Sequence, residues 1–153
     1  MIRHNKCPIV ATADPDNPVY QSITAGEAGW EYLNFQARKL KLGEKWACNT
    51  GGNEFLIVLM GGNFSVDSEI GNWKTENGRR DVFSGLPHGL YLPPNTHFVL
   101  TAESPALDIA VGWCATAEVF PPIFITPEDV VKMGIEYRGG DNASRQINRI
   151  LPP

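Results

Sequence analysis

Two stretches hold residues whose types and spacing bear on chemistry. In the first, Gly43 opens a turn, a short segment follows, and Glu54 is succeeded by six residues and Gly61. Two imidazoles a residue apart on a strand before such a glutamate would share a face and, with its carboxylate, hold a divalent ion. The segment that precedes Glu54 instead reads Cys48-Asn49-Thr50-Gly51. The second stretch is Pro93-Pro94-Asn95-Thr96-His97-Phe98, where a histidine stands next to an aromatic residue. Three residues are candidates for substrate binding: Glu54, His88 and Tyr91. Glu54 would serve as an acid/base group in a pocket, although a carboxylate opening an apolar strand is more often solvated or paired. His88 sits in the turn Leu86-Pro87-His88-Gly89, where a hydrogen-bonded loop histidine is commoner than a catalytic one. Cys48 has no histidine near it in sequence and reads as small apolar filler, as do Cys7 and Cys114. The four tryptophans, Trp30, Trp46, Trp73 and Trp113, fall on separate elements and suit core or interface anchoring.

The elements that must position these residues are mostly strands. The chain has 153 residues, 42% hydrophobic and 20% charged, which fits one domain with a single core. Its 15 glycines and 12 prolines favour many short elements joined by turns. Residues 1–22, rich in Pro, Asp and Asn, read as an irregular arm that lies on the body or on a neighbour. Thr24-Ala25-Gly26-Glu27 has capping-box form but is followed by Gly29, so the helix there is about one turn. Strands follow at Tyr32–Leu42, Trp46–Thr50, Glu54–Met60, Asn63–Ile70, Trp73–Glu76, Val82–Phe83, Gly89–Leu92, Phe98–Thr101 and Leu107–Cys114, with turn signals between them. In the first of these, Leu33, Phe35 and Ala37 share one phase while Leu40 and Leu42 take the other. That change requires a bulge or a strand buried on both sides. Thr126-Pro127-Glu128-Asp129 begins a short helix, Ile135–Arg138 is a last strand, and 139–153 is a polar tail. The pattern is that of a sandwich or barrel filling 23–138. A net charge of −4 without a basic stripe argues against nucleic acid. The absence of any long apolar run or signal core argues against a membrane and places the chain in the cytoplasm.

In outline the two stretches resemble the motifs of the cupin superfamily, which implies a cupin-type β-barrel, a jelly roll. In metal-binding cupins two histidines precede the glutamate of the first motif, and neither is present here. The second motif ends Pro-x-Gly-x-x-His, which puts Asn95 at the glycine and Phe98 at the histidine. His97 is one residue out of phase, so it points to the opposite face and cannot serve as the ligand. No cofactor is therefore expected in this chain, and the interior reads as a packed core or an apolar pocket.

Further runs narrow the likeness. Ile23-Thr24 with Ala28-Gly29-Trp30-Glu31-Tyr32, Val82-Phe83-Ser84-Gly85-Leu86-Pro87-His88, Tyr91-Leu92-Pro93-Pro94, Pro127-Glu128-Asp129-Val130 and the closing Asn142–Pro153 resemble the N-terminal half of the 5-deoxyglucuronate isomerase family, which serves myo-inositol catabolism. The resemblance implies a two-cupin enzyme of nearly twice this length that interconverts aldose and ketose forms of a uronic acid. It further implies that the divalent metal, zinc or manganese, belongs to the second cupin. The tail would then be a linker to that domain, and this half would be inactive alone, with a structural or oligomer-forming role. Its partners would be that second cupin or another copy of itself. The alternative is a self-standing, non-catalytic cupin that binds a small sugar acid.

Overall fold

A computed structural model describes residues 17–140 and 142–151. In chain order these form β1 (Val19–Ile23), α1 (Ala25–Ala28), β2 (Asn34–Lys41), β3 (Lys45–Asn49), β4 (Asn53–Gly61), β5 (Phe64–Ser68) and β6 (Gly71–Lys74). There follow β7 (Gly89–Leu92), β8 (His97–Ala102), β9 (Ala106–Ala115), β10 (Ile123–Ile125), α2 (Pro127–Met133), β11 (Ile135–Gly140) and β12 (Ala143–Asn148). Six strands make one sheet in the order β1-β2-β9-β4-β7-β10, four make a second in the order β3-β8-β5-β6, and β11 pairs with β12. Every pairing is antiparallel.

The two large sheets pack face to face as in a jelly roll, because each strand turns alternate apolar residues toward the other sheet. Phe55, Ile57 and Leu59 of β4 and Leu107, Ile109 and Val111 of β9 meet Phe64 and Val66 of β5 and Phe98 and Leu100 of β8 in one core cluster. Fully burying a side chain of this kind is worth roughly 1.5–3 kcal/mol, so this cluster is the main source of stability. No helix among the described residues is long and apolar enough to cross a membrane.

Strand β2 settles the choice left open by its mixed phase. It runs against β9 without interruption from Asn34 opposite Trp113 to Lys41 opposite Ala106. Leu40 joins the core cluster, while Ala37, opposite Ala110, is buried on the other face. The strand is thus covered on both sides, and the only irregularity lies in its edge partner β1, between Val19 and Gln21. Both helix starts follow their sequence signals. Thr24 and Glu27 form a reciprocal capping box and Gly29 closes α1 in the left-handed region, and Thr126 and Asp129 cap α2 in the same way.

Three segments depart from the sequence reading. Val82–Phe83 is a turn and not a strand: the Asp81 carboxylate accepts from the Phe83 N–H at 3.0 Å and from the Ser84 hydroxyl at 2.7 Å, and Phe83 is 95% exposed. Within 1–22, β1 is an ordered edge strand; residues 1–16 and Cys7 fall outside the described region. Within 139–153, β12 pairs with β11 from Gly140 opposite Ala143 to Ile135 opposite Asn148. Just beyond it, Ile150 lies against the larger sheet, so close that a Cβ at Gly89 would be 2.8 Å from its Cγ2.

Candidate functional site

Two of the motif residues, Cys48 of β3 and Phe98 of β8, face the larger sheet from the smaller one. Phe98 is buried there, edge-on to Trp46 with ring centroids 5.1 Å apart. His97 points the other way, as its phase requires, and is exposed beside Asn49, whose amide nitrogen lies 2.7 Å from the ring Nε2. Cys48 and Trp46, alternate residues of β3, are half-buried against the core. Burial pushes the Cys48 thiol up, against the opposing pull of Arg38. The Thr50 hydroxyl donates to the Pro93 carbonyl and accepts from the Thr96 N–H, both at 2.9 Å. Thr50 commits its hydroxyl to backbone and Phe98 offers only a phenyl ring, so of the three positions Cys48 alone could ligate a divalent cation, and one ligand does not make a centre. Among the described residues no group of three or more His, Cys, Asp or Glu stands together to hold one.

Glu54, on β4, lies on the outer face of the larger sheet. Its neighbour Phe55 takes the inward position, in contact distance of Phe98 and stacked on Trp113, so Glu54 must point outward. There the carboxylate accepts the Tyr91 hydroxyl at 2.9 Å and the Cys114 thiol at 3.3 Å. The three side chains come from β4, β7 and β9, adjacent strands in the sheet, and Glu54 ties them together. Burial, then the hydrogen bond to Glu54, pushes the Tyr91 phenol up to about 12. Cys114 is likewise raised, by burial first and by Glu54 second. Both donors are held in their neutral forms, which suits a positioning cluster better than an acid/base pair working near neutrality.

His88, the third sequence candidate, is in a different place. Only 4% exposed, it lines a cleft of about 610 Å³ with Phe124, Lys74, Glu76 and Glu128. Its ring is tilted on Phe124 at 5.9 Å, and its buried Nδ1 has no hydrogen-bond partner among the described residues. Burial pulls the imidazole below its ordinary pKa, outweighing the nearby Glu128 carboxylate. The structure therefore brings Glu54 and Tyr91 together and leaves His88 apart from them.

Sequence reasoning passed over Arg38. Its place opposite Ile109 in β2 puts it on the concave face, in phase with Leu40. The guanidinium carbon sits 4.0 Å over the Trp46 ring, and Nη2 donates to Gln36 Oε1 at 2.8 Å. Gln36 is held in turn by Ser22 of β1, to whose hydroxyl its amide donates at 3.3 Å. The signal that could have revealed this residue was a polar run at 34, 36 and 38 in the phase that ends at Leu40.

The model of the KduI/IolB family matches residues 9–153. The chain belongs to the KduI/IolB family. This KduI/IolB member is 31% identical over 131 residues to the 5-deoxy-glucuronate isomerase of Geobacillus thermodenitrificans, and 29% identical over 131 residues to that of Geobacillus kaustophilus. Each alignment takes in 85% of this chain and 46% of the relative. Among solved structures, an IolB-like protein from Salmonella typhimurium superposes with a TM-score of 0.80 at 30% identity, over 91% of this chain and 52% of that one. The Bacillus subtilis oxalate decarboxylase OxdC shares only the fold, with a TM-score of 0.51 at 15% identity over 67% of this chain and 27% of that one. The KduI/IolB member described here thus spans about half the length of the relatives it matches.

Proposed function

We propose that this chain is the metal-free, N-terminal cupin of a 5-deoxyglucuronate isomerase, with a role in architecture and subunit contact and no turnover of its own. The observation that carries the reading is the identity of the inward motif positions: Cys48 and Phe98 stand where a cupin metal centre needs imidazoles, in a chain that spans about half of each isomerase relative. Aldose–ketose isomerisation moves a proton between adjacent carbons through an enediolate, so it needs a base and a centre that stabilises the developing negative charge. Of the inward motif positions, Thr50 spends its hydroxyl on backbone and Phe98 is a phenyl ring, so neither supplies a base or a centre for that charge. A partner domain would supply the divalent metal and the base, and would pack on this half, as would a second copy of the chain.

The test is metal retention together with turnover. The purified chain, incubated with excess zinc or manganese and dialysed, is expected to retain well under one equivalent and to leave 5-deoxyglucuronate unconverted in an NMR time course. One equivalent of bound metal accompanied by conversion would overturn the proposal. Light scattering addresses the structural half of the reading, for which a particle larger than one chain is expected.

A further inference from the structure

We infer that β11 is a docking edge for a second copy of this chain, two β11 strands pairing antiparallel about Tyr137 into a four-stranded sheet. The inference rests on the subunit-contact reading above and gives that contact a place. The first support is an edge left open. Strands β11 and β12 form a two-stranded sheet that pairs with no other described strand. From Tyr137 to Gly140 β11 is exposed, as is β12 from Ala143 to Gln146. A two-stranded ribbon is marginal by itself, because the outward backbone groups of each strand have no neighbour to bond. Strand β11 carries no lysine or proline to blunt its edge, and its register with β12 runs from Ile135 to Gly140 without a bulge.

The second support is self-complementarity, which a two-fold contact requires because it sets one surface patch against itself. With Tyr137 facing its own counterpart at the dyad, Glu136 of each copy stands opposite Arg138 of the other. Opposite charges and aromatic pairs directly across antiparallel strands are both favourable, and Tyr137, 70% exposed, has ring surface free for such a pair. No other edge of the described sheets offers the same: β1 and β10 carry no charge, β3 and β6 one lysine each, and β12 one arginine. The third support is the charge around Arg138. It lies directly opposite Arg145 of β12, a like-charge juxtaposition that destabilises a strand pair. Among the described residues the carboxylate that answers it is Glu136, which accepts from Arg138 Nε at 2.6 Å and also lies 3.9 Å from Arg149. A second copy would bring a further carboxylate to Arg138 on its open side, away from Arg145.

Sedimentation velocity of the full chain over a concentration series at low salt provides the test, with a monomer–dimer equilibrium expected for the parent. E136R sets arginine against arginine across the dyad and R138E sets glutamate against glutamate, so each should weaken dimerisation by about tenfold or more. An equimolar mixture of the two variants regains both opposite-charge pairs between unlike chains and should dimerise within about threefold of the parent. The double variant E136R/R138E should do the same, and it serves if one of the single variants does not fold. The proposal is overturned if the single variants associate as the parent does, or if neither the mixture nor the double variant recovers. A particle larger than one chain that is indifferent to these charges would sink the β11 contact alone and leave the subunit-contact reading standing. A parent that stays monomeric would overturn both and leave the edge to a partner domain. The metal and turnover test of the preceding proposal is independent of either result.

Discussion

Replacing Arg38 by methionine measures what a partly buried cation lying over a tryptophan contributes to the fold. Methionine retains an unbranched stem of similar length, so the packing on Trp46 survives, while the charge and the donor to Gln36 are lost. Losing the cation–π contact costs about 0.5–2 kcal/mol. Losing one hydrogen bond that is not fully buried costs about 0.5–1.5 kcal/mol. Against these stands the desolvation of an unpaired cation, which for a fully buried ion amounts to several kcal/mol and for this partly buried one to a fraction of that, about 1–3 kcal/mol. The pull of burial on Arg38, below the ordinary arginine pKa, has that same origin. The opposing sums nearly cancel, so R38M is expected to unfold within about 1 kcal/mol of the parent, a midpoint shift of roughly 2–4 °C for a chain of this size. Urea titration followed by tryptophan fluorescence measures it, with the slope checked to be unchanged. A loss greater than about 2 kcal/mol would refute the reasoning, for Arg38 would then more than repay its partial burial through its contacts within the protein.

Two further perturbations test the placement of the other clusters. In E54Q the Tyr91 phenol loses a charged acceptor but stays buried, so its pKa should fall from about 12 yet remain above the ordinary tyrosine value. Because the folded pKa is the raised one, the contribution of Tyr91 to stability is complete below about pH 10. It is lost as pH climbs through about 12, and E54Q shortens that window from above. ¹³C NMR of labelled tyrosine reads the midpoint, and an unchanged value would show that the carboxylate does not govern the phenol. In G62A the new Cβ would lie 2.4 Å from both the Ala106 carbonyl oxygen and the Ser104 hydroxyl, at a φ of +92° that side chains avoid. A loss of at least about 2 kcal/mol is expected in urea titration; G26A, where nothing lies within 4 Å, should hold or gain stability, and equal effects at the two sites would contradict the geometry.

What could be read from the residues divides along the range of the interactions concerned. The caps of both helices were legible because Thr24 with Glu27, and Thr126 with Asp129, satisfy one another within a single turn. The opposite pointing of His97 and Phe98 was legible because strand alternation is local. Glu54 shows where spacing alone misleads. Six residues separate it from Gly61, which matches the expected motif, but it is the phase of Phe55 that is locked into the core, and that phase sends Glu54 to the outer face. The hairpin of β11 and β12 escaped notice for a related reason: its residues are mostly exposed, so no apolar alternation announces it.

Arg38 was hidden by something less local still. Strand β2 is buried on both faces, so its composition does not say which phase is the concave one; the pairing of Arg38 with Ile109, seventy-one residues away, decides it. A charged residue in such a strand reads by default as solvated. Once the register is known the default reverses, because the cation lies over Trp46 beside an aromatic wall and without a described counter-ion. The position that local rules would assign to solvent is thus half-buried over a tryptophan ring, through a register that only the folded sheet reveals.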